Sequence, residues 1–525
     1  MHGSSFCLTL SFLVLSALAV LWSQPAGTRS ITLAALHDKI EGGWAGQIIG
    51  VSYGAPTEFR YRGEIIPKEK LPAWTPDRVS NAIHQDDLYV DMTFAQVLDD
   101  EGLDATTEDF GAMFREAKYR LWHANLAARR ALKRGVPATL SGTPRYNAHA
   151  NDIDFQIESD FIGMMAPGLP QASNDLCWRA GRVMNYGDGI YGGMFVSGMY
   201  AAAYFENDPR KVVEAGLACL PKASPYAQLI SDLLAWHKQH PGDWEKVWHL
   251  IEQKWDRREP CPAGAMRAFN IDAKLNGAYV ALGLLYGGSD FAKTLEVSTR
   301  AGQDSDCNPS NAAGILGLMV GYQRIPEIWK SGIPAIADQK FSFTNYTYKS
   351  IVESTQKRAI ELVRHNGGRL EGETLVVKLQ SPKPAKLEVW DDYGSPVESV
   401  ASSDARWSWN GAWSALRNAQ GQEVAETRVA GEKGAEASIE FDGTGAIVVG
   451  PYLPDGGKAA VYLDGKLHQT VDVYPDEDAV KGEESVWHAF GLSPGKHTLR
   501  LVVRGEAYGA STGSRVAIRD LTVFR

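Results

Sequence analysis

The chain has 525 residues, 44% of them hydrophobic and 22% charged, the balance of a folded protein long enough for two or three domains. Its formal net charge of −10 argues against nucleic acid or an anionic membrane as a main partner. The cysteines Cys177, Cys219, Cys261 and Cys307 are widely spaced and form no C-x-x-C pair, which argues against a zinc-ribbon or thioredoxin-like motif and leaves any disulfide pairing open.

The first predicted element is a leader. Phe6 to Leu21 is an almost wholly apolar run followed by Ser23, Gln24, Pro25 and Ala26, the pattern of a secretory signal peptide. Residues 1–29 are expected to be that peptide and the mature protein to be secreted or periplasmic, with a retained N-terminal anchor as the alternative. No later stretch reaches the roughly 20 apolar residues of a membrane span, so no membrane contact beyond secretion is expected.

Residues 30–366 read as helical. The first helix starts near Thr32, a capping residue, and runs to Gly54, with Gly42, Gly46, Gly50 and Gly54 on one face as a smooth groove for a neighbouring helix. Further helices are predicted over Leu88–Leu98, Phe110–Arg134, Gly192–Phe205, Lys211–Leu220, Tyr226–His240, Asn276–Leu285 and the glycine-rich Asn311–Tyr322. Strands do not alternate with these helices, which excludes a doubly wound parallel sheet.

After His365-Asn366-Gly367-Gly368 the pattern changes to short β-rich runs: TLVVKLQ, AKLEVWDD, ASIEF, AIVVG, AAVYLDG, HTLRLVV and AIRDLTVF. Residues 367–385 are expected to be a linker and 386–525 a β-sandwich, similar over Phe441–Gly450 and Pro494–His497 to galactose-binding-like jelly rolls. Its tryptophans Trp407, Trp409, Trp413 and Trp487 are candidates for stacking on sugar rings, with core packing as the alternative.

Two acidic constellations carry the candidate chemistry. Asp86-Asp87, preceded by Gln85, opens one predicted helix; Asp304-Ser305-Asp306-Cys307 precedes the glycine-rich one. Adjacent carboxylates repel, and hard cations such as Mg²⁺ or Ca²⁺ seek oxygen ligands of this kind. Helix capping is the alternative use of such residues. Asp154 and Glu158, four apart, are candidate pocket residues or members of a solvated helix face, and Tyr186 and Asp188 lie in a turn suited to a pocket wall.

Three ordered motifs, Gly50 to Phe59, Gln85-Asp86-Asp87, and Gly302-Gln303-Asp304-Ser305-Asp306-Cys307, resemble the ADP-ribosylglycohydrolase family over roughly residues 35 to 325. The resemblance implies an all-α ADP-ribosylglycohydrolase-like catalytic domain followed by the all-β jelly-roll sandwich. It implies Asp86, Asp87, Asp304 and Asp306 as ligands of one or two Mg²⁺ ions, with Ca²⁺ as an alternative, and Glu58 and Asp304 as catalytic carboxylates. Gln85, Asp154, Glu158, Tyr186, Asp188 and Cys307 are expected to line the substrate site. Three positions depart from the family pattern: Gln85 and Cys307 stand where threonines are usual, and Val51 where an aspartate is. The expected activity is metal-dependent hydrolysis of an N- or O-glycosidic bond in an extracellular glycan or glycoside. The alternatives are ADP-ribosyl hydrolysis and a non-catalytic sugar-binding protein with a degenerate site.

Overall fold

The computed structural model describes residues 27–525; the apolar run of the expected leader lies outside the described residues. Helices fill the chain from Leu33 to His365, and the rest is β-structure in antiparallel sheets. No helix of the described residues is long and apolar enough to cross a membrane.

The first helix, α1 (Leu33–Gly54), is capped by Thr32, whose hydroxyl accepts from the Ala35 amide. Its glycine stripe meets the second glycine-rich helix, Cys307–Val320. A Cβ on Gly42, Gly46, Gly50 or Gly54 would collide with the backbone of Gly317, Ala313, Pro309 or Ser305 respectively. The two helices therefore pack backbone to backbone, and this close approach offsets the roughly 1 kcal/mol that each glycine costs in helix propensity. The pair brings the Asp304–Asp306 turn to the end of α1, because Gly54 lies directly against Ser305 and Asp306.

The helix expected over Phe110–Arg134 is two helices, Thr107–Glu116 and His123–Lys133. Between them Tyr119 turns inward to pack on Tyr89 and Phe114. The buried Arg129 guanidinium donates to the freed carbonyls of Ala117 and Tyr119, at 3.1 and 2.6 Å. That satisfies groups a continuous helix would have paired internally.

Residues 367–385 do not form a plain linker. Arg369–Glu371 and Thr374–Lys378 are strands, and the second pairs with Thr28–Thr32 from the start of the described chain, Thr28 opposite Lys378. Thr28 and Arg29, expected within the leader, thus belong to the folded body. The stretch AKLEVWDD forms no ladder: it runs extended along the helical unit, with Trp390 buried against Tyr393 and Phe490.

The C-terminal unit is a sandwich. One sheet has five strands, Lys466–Asp472, Gly457–Leu463, Gly495–Ala507, Glu436–Gly443 and Ser408–Asn410; the facing sheet has four, Lys481–Ala489, Gly445–Tyr452, Asp520–Phe524 and Pro396–Ala401. Alternate residues of both sheets, among them Ile439, Val461, Leu501, Val448 and Leu521, share one core. Trp407 and Trp487 belong to that core, and Trp409 and Trp413 pack against it, so Trp407 and Trp487 are not open sugar-stacking faces. The four described cysteines are free thiols, all buried.

Candidate active site

The carboxylate cluster is assembled from three segments. Asp86 and Asp87 occupy the first turn of the helix Asp86–Glu101, where the helix dipole favours negative charge. Asp304 and Asp306 lie in the turn before Cys307–Val320, and Glu58 follows the 3₁₀ turn Ala55–Thr57 at the end of α1. The last two segments are tied together. Thr57 Oγ1 lies 2.8 Å from Ser305 Oγ, the Phe59 amide donates to the Gln303 carbonyl at 3.0 Å, and the Gln303 amide donates to Tyr61 at 2.9 Å. Gln303 adopts a left-handed φ of 53°, held by its side chain, whose oxygen accepts from the Asn270 amide and whose amide donates to the Ala268 carbonyl. A strained non-glycine residue locked on every side beside acidic groups is the pattern of a functional turn.

The convergence is direct. One ligand atom each of Asp304, Asp306 and Cys307 lies within 4.8 Å of the other two. The Cys307 thiol donates to Asp87 Oδ2 at 3.3 Å, which joins the two sequence-distant motifs. Asp87, Asp304 and Asp306 are buried, while Asp86 and Gln85 are half-buried and Glu58 is open at the rim. Burial and then Asp306 and Asp86 push Asp87 well above the usual carboxylate range. Burial and Glu58 push Asp304 up to about 8. Although its outer surface meets solvent, Glu58 is pushed up to about 8 by the desolvating walls at its base and by Asp306 and Asp86. The charged groups that raise these carboxyls are other carboxylates, and among the described residues no lysine or arginine is paired with them. Asp87 Oδ1 and Asp304 Oδ1 are buried without a hydrogen-bond partner. Uncompensated buried carboxylates with free lone pairs suit a hard cation, so Asp86, Asp87, Asp304 and Asp306 fit the metal implied by the sequence.

Asp154 and Glu158 are not on a solvated helix face: both are buried, Asp154 at the start of the short helix Asp154–Ile157 and Glu158 just past its end. Asn125 binds both, its backbone amide donating to Asp154 at 2.9 Å and its side-chain amide donating to Glu158. Burial and Asp154 hold Glu158 well above its usual range, with Asp86 and Asp91 adding to the effect, so Glu158 is part of the same acidic field.

Tyr186 and Asp188 fall in a different group. Asp188 accepts from the Tyr226 amide at 3.3 Å, and its charged neighbours are Lys274 and Glu259. Tyr186 packs with Trp390 and Tyr393 where the chain crosses to the sandwich. Neither is placed against the carboxylate cluster: Asp188 lies beside the buried Lys274–Asp272–Glu259 network, and Tyr186 lies in the Trp390–Tyr393 aromatic cluster.

A second layer, outside the motifs that the sequence offers, lies beneath the cluster. Asp91 accepts from Gln47 Nε2 at 3.2 Å, and Asp160 accepts from Tyr200 at 2.5 Å and Asn311 at 2.7 Å. Asp91 lies one turn beyond Asp87 on the same helix, a spacing that pointed inward all along.

A family model described as ADP-ribosylglycohydrolase matches residues 32–360. A curated relative from Flavonifractor plautii, "A type blood N-acetyl-alpha-D-galactosamine deacetylase", is 35% identical over 124 residues, covering 22% of this chain and 15% of that protein. The chain thus spans only a small part of that relative's length. Among solved structures, an "ADP-ribosylglycohydrolase-related protein complex" is 15% identical with a TM-score of 0.40, covering 62% of this chain and 98% of that one. A "Carbohydrate-Binding Module CBM36 in complex with calcium and xylotriose" is 10% identical with a TM-score of 0.17, covering 25% of this chain and 100% of that one. The family match takes in nearly the whole helical unit and more than half of the protein, and the chain belongs to the ADP-ribosylglycohydrolase family.

Proposed function

We propose that this protein is a secreted or periplasmic, cation-dependent hydrolase that cleaves a glycosidic bond in a glycan or glycoside. The observation that carries the reading is the mutual approach of Glu58, Asp86, Asp87, Asp304 and Asp306, with Glu58 open to solvent and, among the described residues, no lysine or arginine paired with them. Asp86, Asp87, Asp304 and Asp306 would hold Mg²⁺ or Ca²⁺, and a bound cation supplies charge that orients sugar hydroxyls and stabilises developing negative charge. Glu58 is the carboxylate that reaches the substrate side. It takes the proton of the attacking water, and a carboxyl raised to about 8 is, where it is ionised, a stronger base than an ordinary glutamate. Asp304, whose carboxyl burial and the nearby Glu58 hold up, is the second proton acceptor. Asn125 keeps Asp154 and Glu158 fixed behind them, so the pocket wall stays rigid while the ring passes through an oxocarbenium-like state.

A glycan substrate is supported by two observations. The rim carries an exposed ring: Phe343 is 58% exposed and stands edge-on to Tyr89, one turn from Asp86. The curated relative is named for action on a blood-group sugar. Family membership favours ADP-ribosyl hydrolysis as the second reading. A turnover screen on glycans, aryl glycosides and ADP-ribosylated substrates, each with Mg²⁺, Ca²⁺ or EDTA, separates the two. Cation-dependent sugar release that Glu58→Gln abolishes supports the proposal. Ligand binding that survives EDTA, with no turnover on any substrate, would identify a sugar-binding protein instead.

A further inference from the structure

A second ligand cluster lies outside the carboxylate site. His123, His149, Asp152 and Cys261 each offer one donor atom, and these four atoms lie within 4.8 Å of one another. They come from three separate segments: the start of the helix His123–Lys133, the turn 149–152, and the turn after Pro260. His149, Asp152 and Cys261 are buried and His123 is partly exposed. His123 Nδ1 and His149 Nδ1 lie 3.8 and 2.8 Å from Asp152 Oδ2.

We infer that these four side chains form a structural zinc site. Two imidazoles, a thiol and a carboxylate are the donors of a tetrahedral zinc centre, whereas Mg²⁺ and Ca²⁺ seek oxygen alone. Ligand atoms around zinc stand roughly 3.3–3.8 Å apart at the bond lengths zinc uses, so the cluster needs only small side-chain adjustments to close on an ion. Four protein ligands leave no open position, which marks a site that builds structure rather than one that activates water.

Two further observations point to the ion. His149 Nε2 is buried with no hydrogen-bond partner, 4.0 Å from the Glu484 carboxylate on the sandwich strand Lys481–Ala489. Without an ion, a proton on Nδ1 serves Asp152 but turns the Nε2 lone pair toward Glu484. With zinc on Nδ1 the proton moves to Nε2 and faces that carboxylate, the outer partner that metal-bound histidines typically have. His123 also holds a left-handed φ of 43°, a conformation costly for a non-glycine residue, which aims its ring into the cluster's neighbourhood against His149 and Phe269. The site thereby links the helical unit to the sandwich through Glu484. It stands independently of the proposed hydrolysis.

The test uses the full chain purified without chelator. Metal analysis is expected to find about one zinc per chain, and X-ray absorption at the zinc edge to show one sulfur ligand. Cobalt exchanged into the protein should give a thiolate charge-transfer band. Cys261→Ser should remove the sulfur signal and the band and weaken zinc binding at least about 10-fold. Cys307→Ser, in the carboxylate site, should keep both. His123→Gln, at the exposed edge, supplies the affinity readout should Cys261→Ser fail to fold. A native protein that takes up no zinc from micromolar solution, a zinc edge without sulfur, or a band lost in Cys307→Ser and kept in Cys261→Ser would each overturn the assignment.

Discussion

Asp304 is the residue at which charge and chemistry meet most sharply. It is buried, one oxygen has no partner, and its neighbours Glu58 and Asp87 are themselves acidic. Asp304→Asn should lower turnover by at least about 100-fold, more than outer-shell changes that cost 10–100-fold, and should leave folding intact. In EDTA its melting temperature should equal or exceed wild type, since a like charge has been removed. Wild-type turnover in a folded variant would remove Asp304 from the mechanism. The raised carboxyls also fix a sign. Burial and Glu58 raise the Asp304 carboxyl from its ordinary 3.8 to about 8, so between those values the folded state holds more protons. Stability is then fullest below about pH 4 and falls as pH rises toward 8, by up to about 1.4 kcal/mol per pH unit for each such group. Metal-free protein should therefore melt at lower temperature at pH 8 than at pH 5, and added Mg²⁺ or Ca²⁺ should reverse the loss at pH 8. A flat profile would show that no carboxyl is raised. Cys307 offers a milder probe. Its thiol is a soft donor bound to Asp87, and Cys307→Thr places a hard hydroxyl there. Calorimetric titration should show tighter Mg²⁺ binding in that variant; weaker binding would mean that the thiol contributes through packing against Ile153, Phe269 and Ile271.

At the scale of the element, the paired glycine helices set the position of the acidic turn. Gly46→Ala would drive a methyl into the Ala313 carbonyl, backbone that has no freedom to yield. The expected cost is about 3 kcal/mol or more, at the upper end of overpacking, read as a lowered midpoint in denaturant; Gly102→Ala, with nothing near its Cβ, tests the separate penalty of a positive φ. A Gly46→Ala protein as stable as wild type would mean that the two helices slide apart freely. This stripe was legible because its spacing of four is a property of the helix alone. The paired Asp motifs were legible for a similar reason: each is local. What the sequence hid depends on tertiary contact. Asp154 and Glu158 have the spacing of a solvated face, and nothing local reveals that Asn125 covers them. The break at Tyr119 is set by Arg129 and an aromatic cluster beyond the helix itself. Trp407 and Trp409 are stacked, yet only the closing of two sheets decides that Trp407 faces the core.

Across the whole molecule, the helical unit and the sandwich meet over charge. Arg134 donates to Asp472 and Asp476, Arg130 to the Asp472 and Tyr474 carbonyls and the Asp472 carboxylate, and Arg129 to Glu477. The opposing Arg130 and Arg134 charges hold Asp472 below its ordinary range against the cost of its burial. Its contribution is present above the unfolded carboxylate range and is lost as pH falls through the folded value. Asp472→Ala should leave two guanidinium groups poorly paired and cost about 3 kcal/mol, with calorimetry resolving one melting peak into two as the sandwich uncouples. A single unshifted peak would show that the units are joined by other means. The strand Thr28–Thr32 binds the two ends of the helical unit in another way. Its partner, Thr374–Lys378, is made only after every helix of that unit, so the first strand waits unpaired through most of synthesis. Contacts this distant in sequence form late and slowly. The growing chain therefore carries an open β-edge until residue 378 has emerged, and a holdase that shields this edge during synthesis would raise the yield of correctly closed protein.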